Sequence, residues 1–437
     1  MRISIFGMGY VGAVTAGCLA REGHEVWGVD PNPTKVDLIN SGQPPIVEEG
    51  VAELIEAAVS GGRLRAFTDP GPAIESTEIS MVCVGTPSQS NGSLSLEYVR
   101  HVCEQIGAHL RDKDDYHVVV CRSTVLPGTM ESIVIPTLEA ASGKTAGEGF
   151  GVCNNPEFLR EGTAVRDFYS PPKTVIGSSD PRSAEIVAGL YASLDAPLVS
   201  TDLRTAEMAK YADNVWHALK VCFANELGNI CKGSGVDSHA VMDVFFKDEK
   251  LNLSKAYLTP GFAFGGSCLP KDVRALVYRG RALDLETPVL GAIMSSNWQQ
   301  IERAADLIIQ AGSRKVSVLG FSFKGGTDDL RESPMIEVIE RLIGKGYDLR
   351  VYDANVNLSN LIGANREYLL DHVPHISSIM VPSMKEALDH GDTIVIGNYS
   401  PEFESVGQLL SAEQTVVDLV RIDSLRDAAG DYEGICW

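Results

Sequence analysis

Two glycine-rich segments hold the residues whose types and spacing could do chemistry. Gly7–Gly12 has the Gly-x-Gly-x-x-Gly spacing, which lets a diphosphate approach the backbone where a helix begins. Gly261–Asp272 places Cys268 in a glycine- and proline-flanked loop, whereas the other eight cysteines occupy apolar or helical surroundings. Lys271 lies nearby, and a cation favours the reactive thiolate. A single cysteine in a loop is more often chemically inert, but the presence of a cofactor motif in the same chain favours a nucleophilic role for Cys268.

The first segment lies between a predicted strand and a predicted helix, as dinucleotide binding requires. Gly7 permits the tight turn, Gly9 the approach of the diphosphate, and Gly12 the packing of helix on sheet. Asp30 ends the next predicted strand, where an acidic residue binds the adenosine ribose and disfavours a 2′-phosphate. Lys35 could also reach this ribose. The cofactor expected here is therefore NAD rather than NADP.

Two further strand ends point into the same crevice. They carry Thr86, in Gly-Thr-Pro, and Thr124, in Arg-Ser-Thr-Val. Loops at the carboxyl ends of parallel strands line the ligand crevice in such sheets. Either threonine could contact the ribose or the nicotinamide, and either could equally serve a turn or a helix cap.

Polar side chains interrupt one long helical pattern, Thr205–Gly233. Lys210, Asn214 and His217 recur at intervals of three or four residues and share a helix face, and Asn225 follows further on. Such a row is either a solvated face or the wall of a site. Apolar and aromatic neighbours favour a wall for Lys210 and Asn214, whereas His217 could be a core histidine.

Two carboxylates, Glu157 and Glu161, follow another predicted strand. They could hold water or substrate, or form the acidic first turn of a helix. A nicotinamide cofactor together with a nucleophilic cysteine indicates oxidation beyond the aldehyde. A hydride leaves an alcohol, the thiolate traps the aldehyde as a thiohemiacetal, a second hydride leaves, and the thioester is hydrolysed.

Short apolar runs alternate with amphipathic stretches in the first half of the chain, which predicts a doubly wound parallel sheet. The predicted strands are Arg2–Phe6, Glu25–Val29, Ile79–Gly85, His117–Ser123, Gly151–Cys153 and Lys173–Gly177. Residues 203–310 have a mostly helical pattern, and from Arg314 the strand–helix alternation returns. The strands predicted there are Lys315–Leu319, Asp348–Tyr352, Thr393–Ile396 and Thr415–Leu419. We expect an α/β protein with three regions: a cofactor-binding domain over 1–202, a helical dimerisation and catalytic region over 203–310, and a second doubly wound domain over 311–437.

Composition excludes several classes of partner. The 437 residues carry a net charge of −21 without any basic stripe, which argues against nucleic acid and anionic membranes. Nine cysteines without a Cys-x-x-Cys pair fit reduced thiols in the cytoplasm. No segment is long and apolar enough to span a membrane, and the sequence shows no metal-ligand motif.

These segments, in this order, resemble the UDP-glucose/GDP-mannose dehydrogenase family over essentially the whole chain. The resemblance rests on Gly7–Gly12, Gly85–Pro87, Ser123–Thr129, Pro156–Gly162, Lys210–Asn214, Gly261–Asp272 and Phe323–Pro334. It implies two Rossmann-like domains joined by a long central helix that forms a dimer core. It also implies a four-electron oxidation of a sugar nucleotide with two NAD.

The same resemblance implies roles for individual residues. Cys268 would be the nucleophile, with Lys210 and Asn214 on the oxyanion or sugar, Asp272 and Thr124 on a water, and Glu157 and Glu161 along the sugar. Contacts with NAD are implied for Gly7, Gly9, Tyr10, Val11, Gly12, Asp30, Lys35, Thr86, Thr124, Lys271 and Arg331. Contacts with the sugar nucleotide are implied for Glu161, Lys210, Asn214, His217, Asn225, Tyr257, Phe262, Gly265 and Lys324.

Within the family, three segments are most similar to the members that act on GDP-mannose: Asn214–Ala218, Lys250–Ser254 and Glu433–Trp437. The expected reaction is the oxidation of GDP-mannose to GDP-mannuronate, the alginate precursor. UDP-glucose is the alternative substrate. A one-step β-hydroxyacid dehydrogenase, which needs no cysteine, and a non-catalytic NAD-binding scaffold are the other hypotheses.

Overall fold

The computed structural model describes residues 1–233, 235–249, 258–284, 287–356, 367–368, 371–372, 374–426 and 430–437. The chain divides into two compact units, Met1–Asp213 and Asn214–Trp437. Among the described helices, none combines the length and apolar character that crossing a membrane requires.

An eight-stranded sheet forms the centre of the first unit, in the order β3-β2-β1-β4-β5-β6-β7-β8. Its strands are β1 Arg2–Phe6, β2 Glu25–Val29, β3 Leu64–Phe67, β4 Ile79–Val82, β5 Val118–Cys121, β6 Gly151–Asn154, β7 Thr174–Ser178 and β8 Leu198–Thr201. The first six are parallel, which confirms the predicted doubly wound sheet, whereas β7 pairs antiparallel with β6.

Two strands of this sheet, β3 and β8, were not predicted. Both contain only four residues, and three of the four residues of β8 are exposed at the edge of the sheet. Neither therefore shows the continuous apolar run that marked the buried strands.

Helices cover both faces of the first sheet. They are α1 Tyr10–Arg21, α2 Pro33–Asn40, α3 Val51–Ser60, α4 Gly71–Ser76, α5 Glu97–Leu110, α6 Ile135–Ser142, α7 Ala164–Tyr169 and α8 Pro181–Ala188. Alternate residues of β5 supply the two resulting cores, with Val118 and Val120 in one and Val119 and Cys121 in the other. Burial on both faces explains why this strand is continuously apolar.

Between residues 203 and 310, the described part of the chain contains four helices, in agreement with the predicted helical region. They are α9 Leu203–Gly233, which begins in the first unit, α10 Ser238–Phe245, α11 Leu269–Ala282 and α12 Pro288–Gln310. Buried apolar residues of α9, α11 and α12 pack together around Phe264.

A parallel five-stranded sheet forms the rest of the second unit, in the order β10-β9-β11-β12-β13. Its strands are β9 Lys315–Leu319, β10 Asp348–Tyr352, β11 Thr393–Ile396, β12 Thr415–Asp418 and β13 Asp431–Gly434. Its described helices are α13 Pro334–Gly344, α14 Ile376–Ile379, α15 Met384–His390 and α16 Val406–Leu409. The sequence predicted every strand of this sheet except β13, which is polar.

A fully buried histidine, His117, lies at the start of β5 in the first unit. Its Nε2 is 2.8 Å from Ser80 Oγ, and its Nδ1 is 3.1 Å from both the Thr77 carbonyl oxygen and Lys113 Nζ. Burial, reinforced by the Lys113 charge, lowers the pKa of His117 to about 3. The ring is therefore neutral in the folded protein at neutral pH.

This pKa shift predicts a loss of stability in mild acid. Unfolded histidine titrates near pH 6.5, so as pH falls below this value protons bind the unfolded chain first, and native stability decreases until about pH 3. Between pH 6.5 and 5 this group alone costs about 2 kcal/mol. We expect the free energy of unfolding, measured by urea denaturation, to fall over this pH range by about 2 kcal/mol less for His117→Gln than for the wild type. Equal pH dependence of the two proteins would contradict the assignment.

Candidate active site

The glycine-rich loop of the first unit has the geometry that a dinucleotide requires. Gly7 adopts a φ of +91°, and a Cβ on Gly12 would lie 1.9 Å from the Gly7 carbonyl oxygen. A Cβ on Gly9 would meet no protein atom within 4 Å, so the protein's own packing does not demand glycine there. Tyr10 and Val11 begin α1, whose N-terminal amides suit a diphosphate. These residues fit NAD.

Asp30 is buried at the end of β2 and holds this loop in place. Its Oδ2 accepts a hydrogen bond from the Met8 amide at 2.9 Å, and Lys35 Nζ lies 3.1 Å from the same oxygen. The predicted ribose ligands, Asp30 and Lys35, are thus brought together as an ion pair. Asp30 has a structural role in the loop that the sequence motif alone did not reveal.

Loops after β4 and β5 are joined by side-chain hydrogen bonds. Thr86 Oγ1 donates to the Thr124 carbonyl oxygen at 2.9 Å, and Ser123 Oγ donates to the Val84 carbonyl oxygen at 2.6 Å. The Thr86 hydroxyl therefore links two loops, a role that is neither the ligand contact nor the turn or helix cap considered from the sequence. The contact also brings Thr86 and Thr124 together at one edge of the sheet.

A buried ion pair joins the loop after β6 to α9. Glu157 Oε1 lies 2.9 Å from Lys210 Nζ, and both side chains are less than a tenth exposed. Burial alone would raise the pKa of Glu157, but attraction by Lys210, together with Arg122 and the Leu159 amide, lowers it overall. The lowered pKa favours the ionised form of Glu157 at neutral pH, and this form can orient Lys210 or accept a proton but cannot donate one.

Arg122, which the sequence reading passed over, is a second buried cation beside Glu157. Its Nη1 donates to Asn155 Oδ1 at 2.6 Å and to the Tyr191 hydroxyl at 3.1 Å. No ion pair with a carboxylate is found for it among the described residues. Its charge supports the ionised form of Glu157 across the site.

Glu207, one turn before Lys210 on α9, ties this helix to the loop after β5. Its two carboxylate oxygens accept hydrogen bonds from the amides of Gly128 (2.6 Å) and Met130 (2.8 Å). Burial raises the pKa of Glu207, and these amide bonds oppose the shift. The loop that carries Thr124 is thereby fixed to the helix that carries Lys210.

Glu48 is a buried carboxylate that connects the cofactor loop to the loop of Glu157 and Glu161. It accepts hydrogen bonds from the Tyr10 hydroxyl, from the Gly162 amide at 2.6 Å and from the Ala164 amide at 2.8 Å. Burial and the Glu48 carboxylate raise the pKa of Tyr10, so the phenol remains a donor. Nothing in the local sequence around Glu48 indicates this role.

Cys268 is exposed in the second unit, whereas the other eight cysteines are buried or half-buried free thiols. It immediately precedes α11, and its carbonyl oxygen accepts the Asp272 amide at 2.9 Å in the first turn. Thiolates are favoured at helix N-termini. The predicted difference between Cys268 and the remaining cysteines is confirmed.

Asp272 is almost completely buried, one turn after Cys268. Asn214 Nδ2 donates to Asp272 Oδ2, and Lys271 Nζ lies 3.2 Å from Asp272 Oδ1. The structure therefore brings Asn214, Lys271 and Asp272 together, one helical turn after Cys268. The Lys271 ammonium, expected to act on the thiol or on NAD, is paired with Asp272 here.

Three buried amide side chains hold the backbone that leads to Cys268. Asn225 accepts the Gly261 amide at 2.9 Å and donates to the Phe262 carbonyl oxygen at 3.2 Å. Asn297 accepts the Phe264 amide at 2.9 Å and donates to the Phe264 carbonyl oxygen at 2.8 Å. Gln300 Nε2 donates to the Gly261 carbonyl oxygen at 2.6 Å. We call Asn225, Asn297 and Gln300 the amide clamp.

The clamp gives Asn225, an expected substrate ligand, a backbone-holding role. Asn297 and Gln300 were missed by the sequence analysis. The signal available for them was two amides three residues apart on the buried side of α12, and both are nearly inaccessible. Buried amides of this kind must be hydrogen-bonded, so a backbone partner could have been expected.

The remaining expected residues are placed as follows. His217 is half-buried on α9, Phe262 is half-buried, and Gly265 is buried. Lys324 is exposed after β9, and Arg331 forms an ion pair with Asp329 at 2.6 Å. Tyr257 lies outside the described residues.

A doubly wound sheet with an NAD-type glycine loop, together with a glycine-loop cysteine, defines an NAD-dependent dehydrogenase. The chain belongs to the UDP-glucose/GDP-mannose dehydrogenase family. Its NAD binding domain model matches residues 1–195, its central domain model residues 204–299, and its UDP binding domain model residues 317–423.

Individual relatives are similar over the full chain. A GDP-mannose 6-dehydrogenase of Azotobacter vinelandii is 54% identical over 437 residues, with 100% of both chains covered. A UDP-glucose dehydrogenase from the archaeon Pyrobaculum islandicum has a TM-score of 0.90 at 36% identity, covering 100% of this chain and 97% of that one. A GDP-mannose dehydrogenase from Pseudomonas aeruginosa, solved as a ternary complex, has a TM-score of 0.58 at 52% identity, with both chains covered completely.

The contacts of Glu48 predict a defect when its charge is removed. In Glu48→Gln the side chain loses its charge, and its new NH₂ group must face one of the three hydrogen-bond donors. A charge-assisted hydrogen bond worth about 1.5–3 kcal/mol is therefore lost. We expect kcat/KM, followed as NADH absorbance, to fall about tenfold or more. Tyr10→Phe, which removes only one of the three contacts, should have a smaller effect. Wild-type kinetics in Glu48→Gln would show that the carboxylate does not position these loops.

Proposed function

We propose that this protein oxidises the C6 alcohol of GDP-mannose to the carboxylate of GDP-mannuronate, in two steps that consume two NAD. The observation that carries the proposal is Cys268, an exposed thiol at the head of α11 with Asp272 and Asn214 beside it. Full-length similarity to enzymes named for GDP-mannose supports the substrate.

The residues of the first unit hold the cofactor and the charges around the reacting carbon. Gly7–Gly12, Asp30 and Lys35 would bind NAD, which accepts hydride when bound. Lys210, oriented by the ionised Glu157, would stabilise negative charge on the C6 oxygen. Glu161, near the same loop, would line the sugar.

The second unit supplies the covalent step. After the first oxidation, the Cys268 sulfur bonds to C6 of the aldehyde, and the oxygen becomes the hydroxyl of a thiohemiacetal. A second oxidation gives a thioester. Water then adds to C6, the carbon–sulfur bond breaks, and the thiol is restored as the carboxylate leaves. Asp272 would position this water, with Asn214 as a further polar contact. Resemblance to the family is what supports a role for Thr124 in the same step.

UDP-glucose is the second candidate substrate. A UDP-glucose dehydrogenase matches the structure at a TM-score of 0.90, and the C-terminal family model is described as UDP binding. The identity of 54% to a GDP-mannose enzyme against 36% to this one favours guanine. The chemistry at Cys268 is the same for both.

Product stoichiometry tests both parts of the proposal. We expect two NADH per GDP-mannose consumed and no turnover of UDP-glucose, measured side by side with the purified protein. In Cys268→Ala we expect the four-electron reaction to be lost, because no thioester can form. Cys222→Ala, which changes a buried thiol, is the matched control and should keep two NADH per sugar.

Other outcomes are equally decisive. Two NADH per UDP-glucose would keep the mechanism and replace the substrate. One NADH per sugar, or full turnover by Cys268→Ala, would remove the covalent role of Cys268 and favour a one-step dehydrogenase.

We further propose that the protein is a homodimer through its central helices and works in the cytoplasm, where its nine free thiols would stay reduced. Trp216 and Phe223 are seven residues apart on one face of α9 and about half exposed, as is Trp298 on α12. Val244 on α10 is 75% exposed. Large exposed apolar side chains on neighbouring elements are typical of an interface, and a second copy would cover them.

Solution mass tests this interface. We expect sedimentation of the wild type at twice the monomer mass, and of Trp216→Glu/Phe223→Glu at the monomer mass, since buried charges disfavour association. Tyr98→Glu, which changes an exposed aromatic residue of α5, should leave the dimer intact. A monomeric wild type would exclude the proposal.

A further inference from the structure

The segment Glu433–Trp437 contacts the support of the nucleophile loop. Cys436 is completely buried, and its Sγ lies 3.7 Å from the Gly261 carbonyl oxygen and 3.6 Å from Asn229 Oδ1. Gln300 Nε2 is 3.3 Å from the same sulfur and also donates to the Gly261 carbonyl oxygen. The Cys436 side chain therefore sits against the amide clamp.

The segment is itself held by α9, α10 and α12. Ser238 Oγ donates to the Cys436 carbonyl oxygen at 2.7 Å, Arg303 Nε to the Ile435 carbonyl oxygen at 3.3 Å, and Lys232 Nζ to the Gly434 carbonyl oxygen at 2.5 Å. Its backbone is thus fixed at three successive carbonyls. Trp437 adds an edge-on ring contact with His239 at 5.1 Å.

The clamped backbone continues directly to Cys268. A Cβ on Gly265 would lie 2.3 Å from the Glu332 carbonyl oxygen, and a Cβ on Gly266 would lie 2.7 Å from the Phe323 ring. Residues 261–266 are therefore fixed on one side by the clamp and on the other by the segment that follows β9. Little freedom remains for the two residues between Gly266 and Leu269, where α11 begins.

We propose that Glu433–Trp437 is a positioning segment for the nucleophile: by filling the space behind Gly261 and completing the amide clamp, it fixes the loop that presents Cys268. The inference deepens the proposed function and rests on Cys268 as the reacting group. A buried polar network rigidifies its surroundings only when all members are satisfied, so a displaced Cys436 would release Gln300, Asn229 and the loop together.

Gly228 on α9 offers a probe that leaves every hydrogen-bonding group in place. A Cβ there would lie 2.9 Å from both Cys436 Cβ and Pro260 Cβ. In Gly228→Ala the segment or the loop must therefore shift, while alanine favours the helix itself by about 1 kcal/mol. Gly344→Ala is the matched control, because a Cβ on that helical glycine would meet nothing within 4 Å.

The experiment combines hydrogen exchange with kinetics on the full chain. For Gly228→Ala we expect faster deuterium uptake in the peptide that contains residues 261–267, a fall in kcat of about fivefold or more, and an unchanged KM for NAD. Gly344→Ala should match the wild type in all three. If the contact only stabilised the fold, Gly228→Ala would lower the melting temperature but would not lower kcat selectively while leaving the KM for NAD unchanged.

Two results would overturn the proposal: unchanged exchange in the loop, or faster exchange with unchanged kcat. If Gly228→Ala does not fold, Trp437→Ala decides by the same readouts, because it loosens the segment without inserting an atom beside Pro260. Loop exchange does not depend on turnover. If the protein oxidised neither sugar nucleotide, the proposed function would be wrong. The exchange result would still test whether Glu433–Trp437 fixes the loop.

Discussion

The loops that carry this chemistry depend on one constraint: backbone amides that leave the ends of strands and become buried need hydrogen-bond acceptors. Here buried side chains supply them. Asp30 accepts the Met8 amide, Glu48 those of Gly162 and Ala164, and Glu207 those of Gly128 and Met130. In the second unit, Asn225 and Asn297 do the same for the loop before Cys268. Charged acceptors form the stronger bonds, which suits loops that must hold a fixed geometry.

The two sheets use this device in the same way at corresponding places. In the first, Gly7 follows β1 with a φ of +91°, and Asp30 at the end of β2 accepts the next amide. In the second, Gly320 follows β9 with a φ of +79°, and Asp353 after β10 accepts the amides of Phe321 and Ser322 at 3.1 Å. Each glycine also donates its own amide to the residue before that aspartate. The same turn geometry thus follows the first strand of each sheet, while the side chains on the loops differ.

Buried charge is balanced locally within each of the two units. Glu157 lies between Lys210 and Arg122, so its negative charge is retained despite complete burial, and the Lys210 ammonium keeps a fixed direction. Removing one member of such a group would leave an uncompensated buried charge, which is far more costly than the net value of the pair. For the same energetic reason, the almost inaccessible Asp272 accepts a hydrogen bond from Asn214 and forms an ion pair with Lys271. Within each unit, the direction of these charged side chains is thus fixed by neighbours of the same unit.

The sequence alone determined the alternation of strands and helices, the glycine loop at Gly7, the acidic end of β2 and the one cysteine that stands in an exposed loop. Each is a local pattern, because strand burial, turn geometry and loop composition are written in neighbouring residues. Only the tertiary structure decided which residues support them. Glu48 meets Ala164 across 116 positions, and Cys436 meets Gly261 across 175. The local sequence around such residues does not reveal their role. A buried carboxylate or amide is needed where it hydrogen-bonds a particular stretch of backbone, and only folding brings that backbone near.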